Sequence, residues 1–164
     1  MNKVNHSIIN GLPQAVAVLN GSDAYPGISG LVRFYRTKDG TLVYADVSGL
    51  PEGSEPCSQP VFGFHIHGGT SCTGTAADPF ADAKHHYDPE HCPHPFHAGD
   101  LPPLFGNSGR AVLAFLTNRF RIDEVLGKAV IIHSKADDFT TQPSGNAGDK
   151  IACGIIRPVA RGVR

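Results

Sequence analysis

Apolar and polar side chains trade places at every second residue along several stretches of the chain. Segments 14–21 (QAVAVLNG) and 28–37 (ISGLVRFYRT) do so in part. In 41–50 (TLVYADVSGL), Leu42, Tyr44, Asp46 and Ser48 share one face, and Val43, Ala45 and Val47 share the other. A period of two predicts half-buried β-strands. Asp39-Gly40, between the last two segments, is a strong hairpin signal. Apolar runs at 61–68, 109–117, 127–134 and 150–158 predict further strands, and 121–127 (RIDEVLG) predicts one helical turn. Segment 49–60 is a loop by composition. The fold class expected from this pattern is all-β.

Composition sharpens that expectation. With 164 residues the chain suits a single domain over 1–164, with flexible ends at 1–12 and 159–164. Gly 19 and Pro 13, against no Trp and one Met, suit many short strands joined by turns. A net charge of −1 with 18% charged residues argues against a nucleic-acid partner or a polybasic membrane patch. No run approaches the roughly 18–20 apolar residues that span a bilayer, so no membrane partner is expected. Asn10, Gly11 and Pro13 interrupt the apolar stretch that a secretion signal would need. As written the chain reads as cytoplasmic. An exported mature form, trimmed of its signal and restarted with Met, would look the same.

Between the strands, residues from about 68 to 108 show almost no regular pattern, which is uncommon within a compact domain. Something other than a backbone ladder is expected to hold this stretch, namely a metal and a disulfide. Its sub-segment 85–100, HHYDPEHCPHPFHAGD, carries five histidines among three prolines. His86, His94, His97 and Asp100 offer three nitrogens and one oxygen, a set that suits a closed tetrahedral zinc site. His85 and His91 are the expected bystanders, and His6 is a surface residue. Upstream, His65 and His67 sit two apart on a predicted strand. Both therefore face one way, about 6.6 Å apart along the chain. H-x-H alone is a weak metal signal. His133 ends the apolar run AVIIH, where an imidazole needs a partner. Four cysteines, Cys57, Cys72, Cys92 and Cys153, allow three complete pairings, and the absence of a C-x-x-C pair argues against a cysteine-rich zinc finger.

The motifs GFHIHGG followed by Cys72, HHYDP, HCPHPFHAGDLP, IIHSKADD and SGNAGDKIACGII together resemble the copper/zinc superoxide dismutases, in order from about residue 14 to 157. The run from His67 to Cys72 is similar to the bacterial branch. The resemblance implies an eight-stranded Greek-key β-barrel or flattened sandwich. It implies copper on His65, His67, His86 and His133, and zinc on His86, His94, His97 and Asp100, with His86 shared. Asp137 would link His65 to His94, and Cys72 would pair with Cys153. The implied activity is conversion of superoxide, a small-molecule substrate, to dioxygen and hydrogen peroxide by Cu(II)/Cu(I) cycling, with zinc structural. His86 and Lys150 would be catalytic.

Two departures matter. Where the family carries an arginine three residues before the last cysteine, this chain has Lys150. The cation survives but the planar fork does not, so a lower on-rate is expected. Steering of the anion should rest on few groups, Lys150 and Lys135. Cys57 and Cys92 have no counterpart in the family pattern, and a second disulfide between them is favoured over free thiols or a thiolate near the metal. Family members dimerise through different surfaces or stay monomeric, so a homodimer is compatible. The main rival function is a dismutase-like copper-binding carrier with weak catalysis. A zinc hydrolase is disfavoured, because the His3Asp set leaves no open position and no H-E-x-x-H is present.

Overall fold

The computed structural model describes residues 11–55, 57–58 and 60–160. The expected flexible ends fall largely outside these residues, as do His6 and residues 1–10 of the segment read for a secretion signal. Among the described residues nine strand segments form: β1 (Ala15–Gly21), β2 (Ser29–Thr37), β3 (Gly40–Ser48), β4 (Val61–Phe62), β5 (Phe64–His67), β6 (Leu104–Phe105), β7 (Arg110–Thr117), β8 (Ala129–His133) and β9 (Lys150–Pro158). A single helical turn, α1 (Ile122–Val125), precedes β8. Seven strands make one curled antiparallel sheet in the order β5-β8-β9-β1-β2-β3-β7, and β4 pairs with β6. β4 and β5 are one extended run broken at Gly63. The expected all-β class is thus met by a curled seven-stranded antiparallel sheet with a separate β4–β6 pair.

The alternation seen in the sequence sets the register. Val43, Ala45 and Val47 of β3 are fully buried, whereas Tyr44 and Asp46 are only half-buried. Thr37 pairs with Gly40 to close the β2–β3 hairpin. Gly40 has φ +137°, and a Cβ there would lie 2.3 Å from the Thr117 carbonyl oxygen, so only glycine fits this turn. Leu19, Val32, Phe34, Phe62, Phe64, Ile66, Leu104, Ile132, Ile151 and Ile156 fill the core. Each such side chain contributes about 1.5–3 kcal/mol by leaving water.

β8 lacks alternation because both of its faces are covered. Val130 and Ile132 enter the main core, while Ala129 and Ile131 pack with Phe80, Ala83 and Cys153 in a second cluster. Phe80 and Ala83 belong to the segment that leaves β5, which the Cys72–Cys153 disulfide ties to β9. β6 was not legible in the sequence, since two residues between prolines and a glycine carry no period.

The expected disulfide does tie 68–108 at Cys72, but the reading that a backbone ladder plays no part is corrected by the segment's hydrogen bonds. β5 ends the strand order of the sheet, and the segment lies along its outer edge. Gly68 N–H donates to His85 O, Tyr87 N–H to Ile66 O, Ile66 N–H to Gly99 O and Leu101 N–H to Phe64 O, at 2.8–3.3 Å. Main-chain pairing, which demands no particular side chains, left no trace in the sequence.

Candidate metal centre

β5 alternates like any strand. Phe64 and Ile66 point into the core, and His65 and His67 therefore point to the opposite face, beneath the loop. His133 comes up beside them from the end of β8, and the loop brings His86, His94, His97 and Asp100. All six imidazoles are buried. They form two groups sharing one member: His65, His67, His86 and His133, and His86, His94, His97 and Asp100. Within each group the donor atoms lie within 4.8 Å of one another.

Hydrogen bonds fix which nitrogen faces the centre in His65, His67, His94 and His133. A carbonyl or carboxylate oxygen only accepts, so the ring nitrogen against it carries the proton and the other is a bare lone pair. His67 Nδ1 donates to Lys84 O at 2.8 Å, and His133 Nδ1 donates to Gly148 O at 3.1 Å. Their Nε2 atoms then face each other 3.2 Å apart, two lone pairs that repel without a cation between them. His65 Nε2 and His94 Nε2 donate to the two oxygens of Asp137, at 2.7 and 2.9 Å. The inward nitrogens, His65 Nδ1 and His94 Nδ1, are buried without a hydrogen-bond partner. His94 Nδ1 is 3.1 Å from Asp100 Oδ2, again lone pair against lone pair. His97 Nδ1 stands 3.2 Å from the same oxygen.

His86 is different. Its Nδ1 lies 2.7 Å from Asp100 Oδ1, in the second group, while Nε2 is buried without a partner. Its ring centre is 4.0 Å from that of His65 and 4.9 Å from that of His67, but also 5.6 Å from His94 and 5.5 Å from His97. Leaving a buried polar atom unsatisfied costs about 1–3 kcal/mol. Three such atoms, all aimed inward, fit metal ions in both groups.

The electrostatics agree. Burial holds His67 well below the usual imidazole range, reinforced by His133 and His86. Burial also pushes His133 down to about 3, with His65 adding to the effect. It lowers His86 despite the opposing Asp100. Burial alone would raise Asp100 and Asp137, but hydrogen bonding from His86 in one case, and from His65, Phe139 N–H and His94 in the other, leaves both lowered. At neutral pH His67, His86 and His133 are thus neutral and Asp100 and Asp137 ionised, the protonation states that metals require. Gly145 permits the Asp137 link: its φ is +69°, and a Cβ would lie 2.0 Å from Asp137 Oδ1.

The centre opens to solvent through a cleft of about 860 Å³. His67, His86, His97 and His133 reach its floor, and Lys150 lines it. Lys150 is not a free cation, because its Nζ lies 2.6 Å from Asp78 Oδ2. Lys135, the other expected steering group, does not line the cleft. His85 and His91 stay exposed, outside both groups. The expected Cys57–Cys92 disulfide is absent, and both are free thiols. The loop of Cys57 is anchored to the β6–β7 connection through Leu50 N–H to Gly109 O and Gly106 N–H to Pro60 O, whereas Cys92 lines the cleft with its N–H on Asp88. Sequence reasoning also missed Asp78 and Arg119, whose side chain donates to Pro95 O at 2.9 Å. Neither sits in a motif.

The family profile described as copper/zinc superoxide dismutase (SODC) matches residues 28–156. The chain belongs to the copper/zinc superoxide dismutase family. It is 34% identical over 140 residues to a Cu-Zn superoxide dismutase of Legionella pneumophila, covering 80% of each chain. It is 35% identical over 150 residues to one from Deinococcus radiodurans, covering 80% of this chain and 79% of that one. Among solved structures, the Cu/Zn superoxide dismutase from Brucella abortus shares the fold at TM-score 0.71 and 23% identity, over 86% of this chain and 98% of that one. A double mutant of a SOD-like protein from Bacillus subtilis matches at TM-score 0.69 and 29% identity, over 85% and 95%. Membership makes this chain a copper/zinc-type oxidoreductase whose histidine groups are able to hold the two metals. Among the described residues no helix is long and apolar enough to cross a membrane.

Proposed function

We propose that this chain disproportionates superoxide, two superoxide ions and two protons giving dioxygen and hydrogen peroxide. Copper would be held by His65, His67, His86 and His133, and zinc by His86, His94, His97 and Asp100. The observation that carries the reading is the placement of His86, with one nitrogen toward each donor group and no other partner for Nε2. When bound, copper supplies one-electron redox chemistry and zinc a fixed positive charge. The chain supplies the rest. Lys84 O and Gly148 O orient His67 and His133 through their distal nitrogens, and Asp137 orients His65 and His94 together, as outer carboxylates do for metal-ligating histidines. His86 Nε2 is the atom at which a proton for the peroxide can be taken up and returned.

The test is superoxide turnover by the copper- and zinc-loaded protein, with His133→Ala as control. The parent should be active and the variant should lose most of its rate. Full-speed turnover in His133→Ala refutes the copper assignment. A copper-binding carrier with weak catalysis is the second reading, and the pairing of Lys150 with Asp78 favours it. Tight copper without superoxide turnover would select it. The Cys72–Cys153 disulfide supports an oxidising compartment, which fractionation of the source cells would test. Exposed Phe96, Phe105 and Leu116 support a homodimer, to be tested by sedimentation velocity.

A further inference from the structure

The cleft above the centre is not a positive funnel. Two lysines, Lys84 and Lys150, line it, against three aspartates, Asp78, Asp88 and Asp149. Of these, Asp78 is held in place most completely. Its N–H donates to Thr75 Oγ1, its carbonyl accepts from Thr75 N–H, and its Oδ1 accepts from Phe80 N–H at 3.2 Å. Oδ2 is thereby left facing Lys150 Nζ at 2.6 Å. The disulfide fastens the two partners from behind, joining the loop of Asp78 at Cys72 to Cys153, on the same strand as Lys150. The lysine side chain is 16% exposed and the aspartate 44%, so an arriving anion meets the carboxylate as well as the ammonium.

We propose that Asp78 is a specificity-determining residue of the opening: by pairing with Lys150 it masks a cation that lines the cleft and lowers the capture of small anions. The inference rests on the preceding section only for the identity of that anion as superoxide. A lone ammonium attracts an anion as a charge, whereas a close ion pair acts as a weaker dipole and competes for the same hydrogen-bond donors. At a few ångströms in largely hydrated surroundings, removing one carboxylate charge should strengthen anion binding about three-fold.

The test uses copper- and zinc-loaded protein with Asp78→Asn. Asparagine keeps an oxygen for Phe80 N–H, so the turn is preserved. Azide, titrated by the visible absorption of the copper, should bind about three-fold tighter. Superoxide kcat/KM should rise by a similar factor at low ionic strength, and the gain should shrink with salt. Lys150 should also be acetylated faster by an N-hydroxysuccinimide ester, followed by mass spectrometry with and without metals. Adding Lys150→Ala should abolish the gain in azide affinity. Asp46→Asn removes the same charge from the Asp46–Arg110 pair between β3 and β7 and should leave azide binding unchanged. Unchanged or weaker azide binding in Asp78→Asn, or an equal gain in Asp46→Asn, overturns the proposal. If the parent lacks superoxide turnover while azide still tightens in Asp78→Asn, the proposed function fails and the masking stands. If copper is not taken up, acetylation decides, and equal Lys150 rates in parent and variant overturn it.

Discussion

The four-histidine group and the His3Asp group share the His86 ring, yet different forces hold them. Three side chains of the first, His65, His67 and His133, stand on β5 and β8. Their positions follow from the burial of Phe64, Ile66, Val130 and Ile132 on the other face of the same strands. All four donors of the second group come from the loop, whose place depends on main-chain bonds to the β5 edge, on Asp137 and on Arg119. The difference teaches that the first half of the centre is set by folding itself. The second half is set by tethers that can be cut one at a time. Cutting the shared ring should have the largest effect. His86→Ala should lower superoxide turnover by about 10³ or more, equivalent to about 4 kcal/mol of transition-state stabilisation. It should weaken both metals in competition titrations, whereas His133→Ala should weaken copper alone. Loss of only one metal from His86→Ala would separate the two groups and break the comparison.

Acid should distinguish the halves next. In the metal-free chain His133 is lowered to about 3, against an ordinary imidazole value of 6.5 in the unfolded chain. Between those values the unfolded state binds more protons, so stability rises with pH and is lost on acidification through that window. From pH 6.5 to 4.5 His133 alone should cost about 2–3 kcal/mol, and His67 and His86 act in the same direction. Asp100 and Asp137 have lowered values, so the stability they contribute is kept above the ordinary carboxylate range and is lost only at more acid pH. Urea denaturation of metal-free protein across this range should show the slope, and His133→Gln should remove about one proton of it. A flat profile would show that the strand-borne rings are not buried as neutral groups.

The same contrast explains what the sequence revealed. Strand-borne features were legible because burial imposes a period: Val43, Ala45 and Val47 announced β3, and the apolar run ending at His133 announced β8. The donor residues were legible because imidazole is scarce and clustered. Neither signal reports what holds the loop. The bonds from Tyr87 N–H to Ile66 O and from Ile66 N–H to Gly99 O use main-chain atoms that every residue but proline carries. Lys84 and Gly148 orient two rings through carbonyl oxygens, so their side chains say nothing about that role. Asp78 meets Lys150 across 72 residues, a pairing of common residue types with no spacing rule. The favoured Cys57–Cys92 pair failed for a related reason, because cysteine count constrains partners without saying where each loop is anchored.

Arg119 offers the finest cut, with the smallest expected effect. Its Nη1 donates to Pro95 O at 2.9 Å and approaches His97 O at 3.4 Å and Asp100 O at 3.5 Å. These carbonyls belong to the turn that carries two donors of the His3Asp group, while none belongs to β5 or β8. A planar guanidinium can span several carbonyls at once, whereas a lysine ammonium is a compact charge on a flexible stem. Arg119→Lys keeps the charge and should preserve most of the contact to Pro95 O while loosening the turn at His97 and Asp100. Because Arg119 is exposed, water can replace part of what is lost, and the effect stays modest. Zinc affinity should fall about three- to ten-fold, less than the roughly 10- to 100-fold typical when an outer contact to a metal ligand is removed outright. Copper affinity should stay within error, since His65, His67 and His133 keep their strands, and His86 keeps its place beside β5 through Gly68 N–H on His85 O and Tyr87 N–H on Ile66 O. Parallel competition titrations of both metals measure the ratio directly. An equal drop for copper would mean that the strands and the loop are held as one unit, and the division of the centre into two independently supported halves would have to be abandoned.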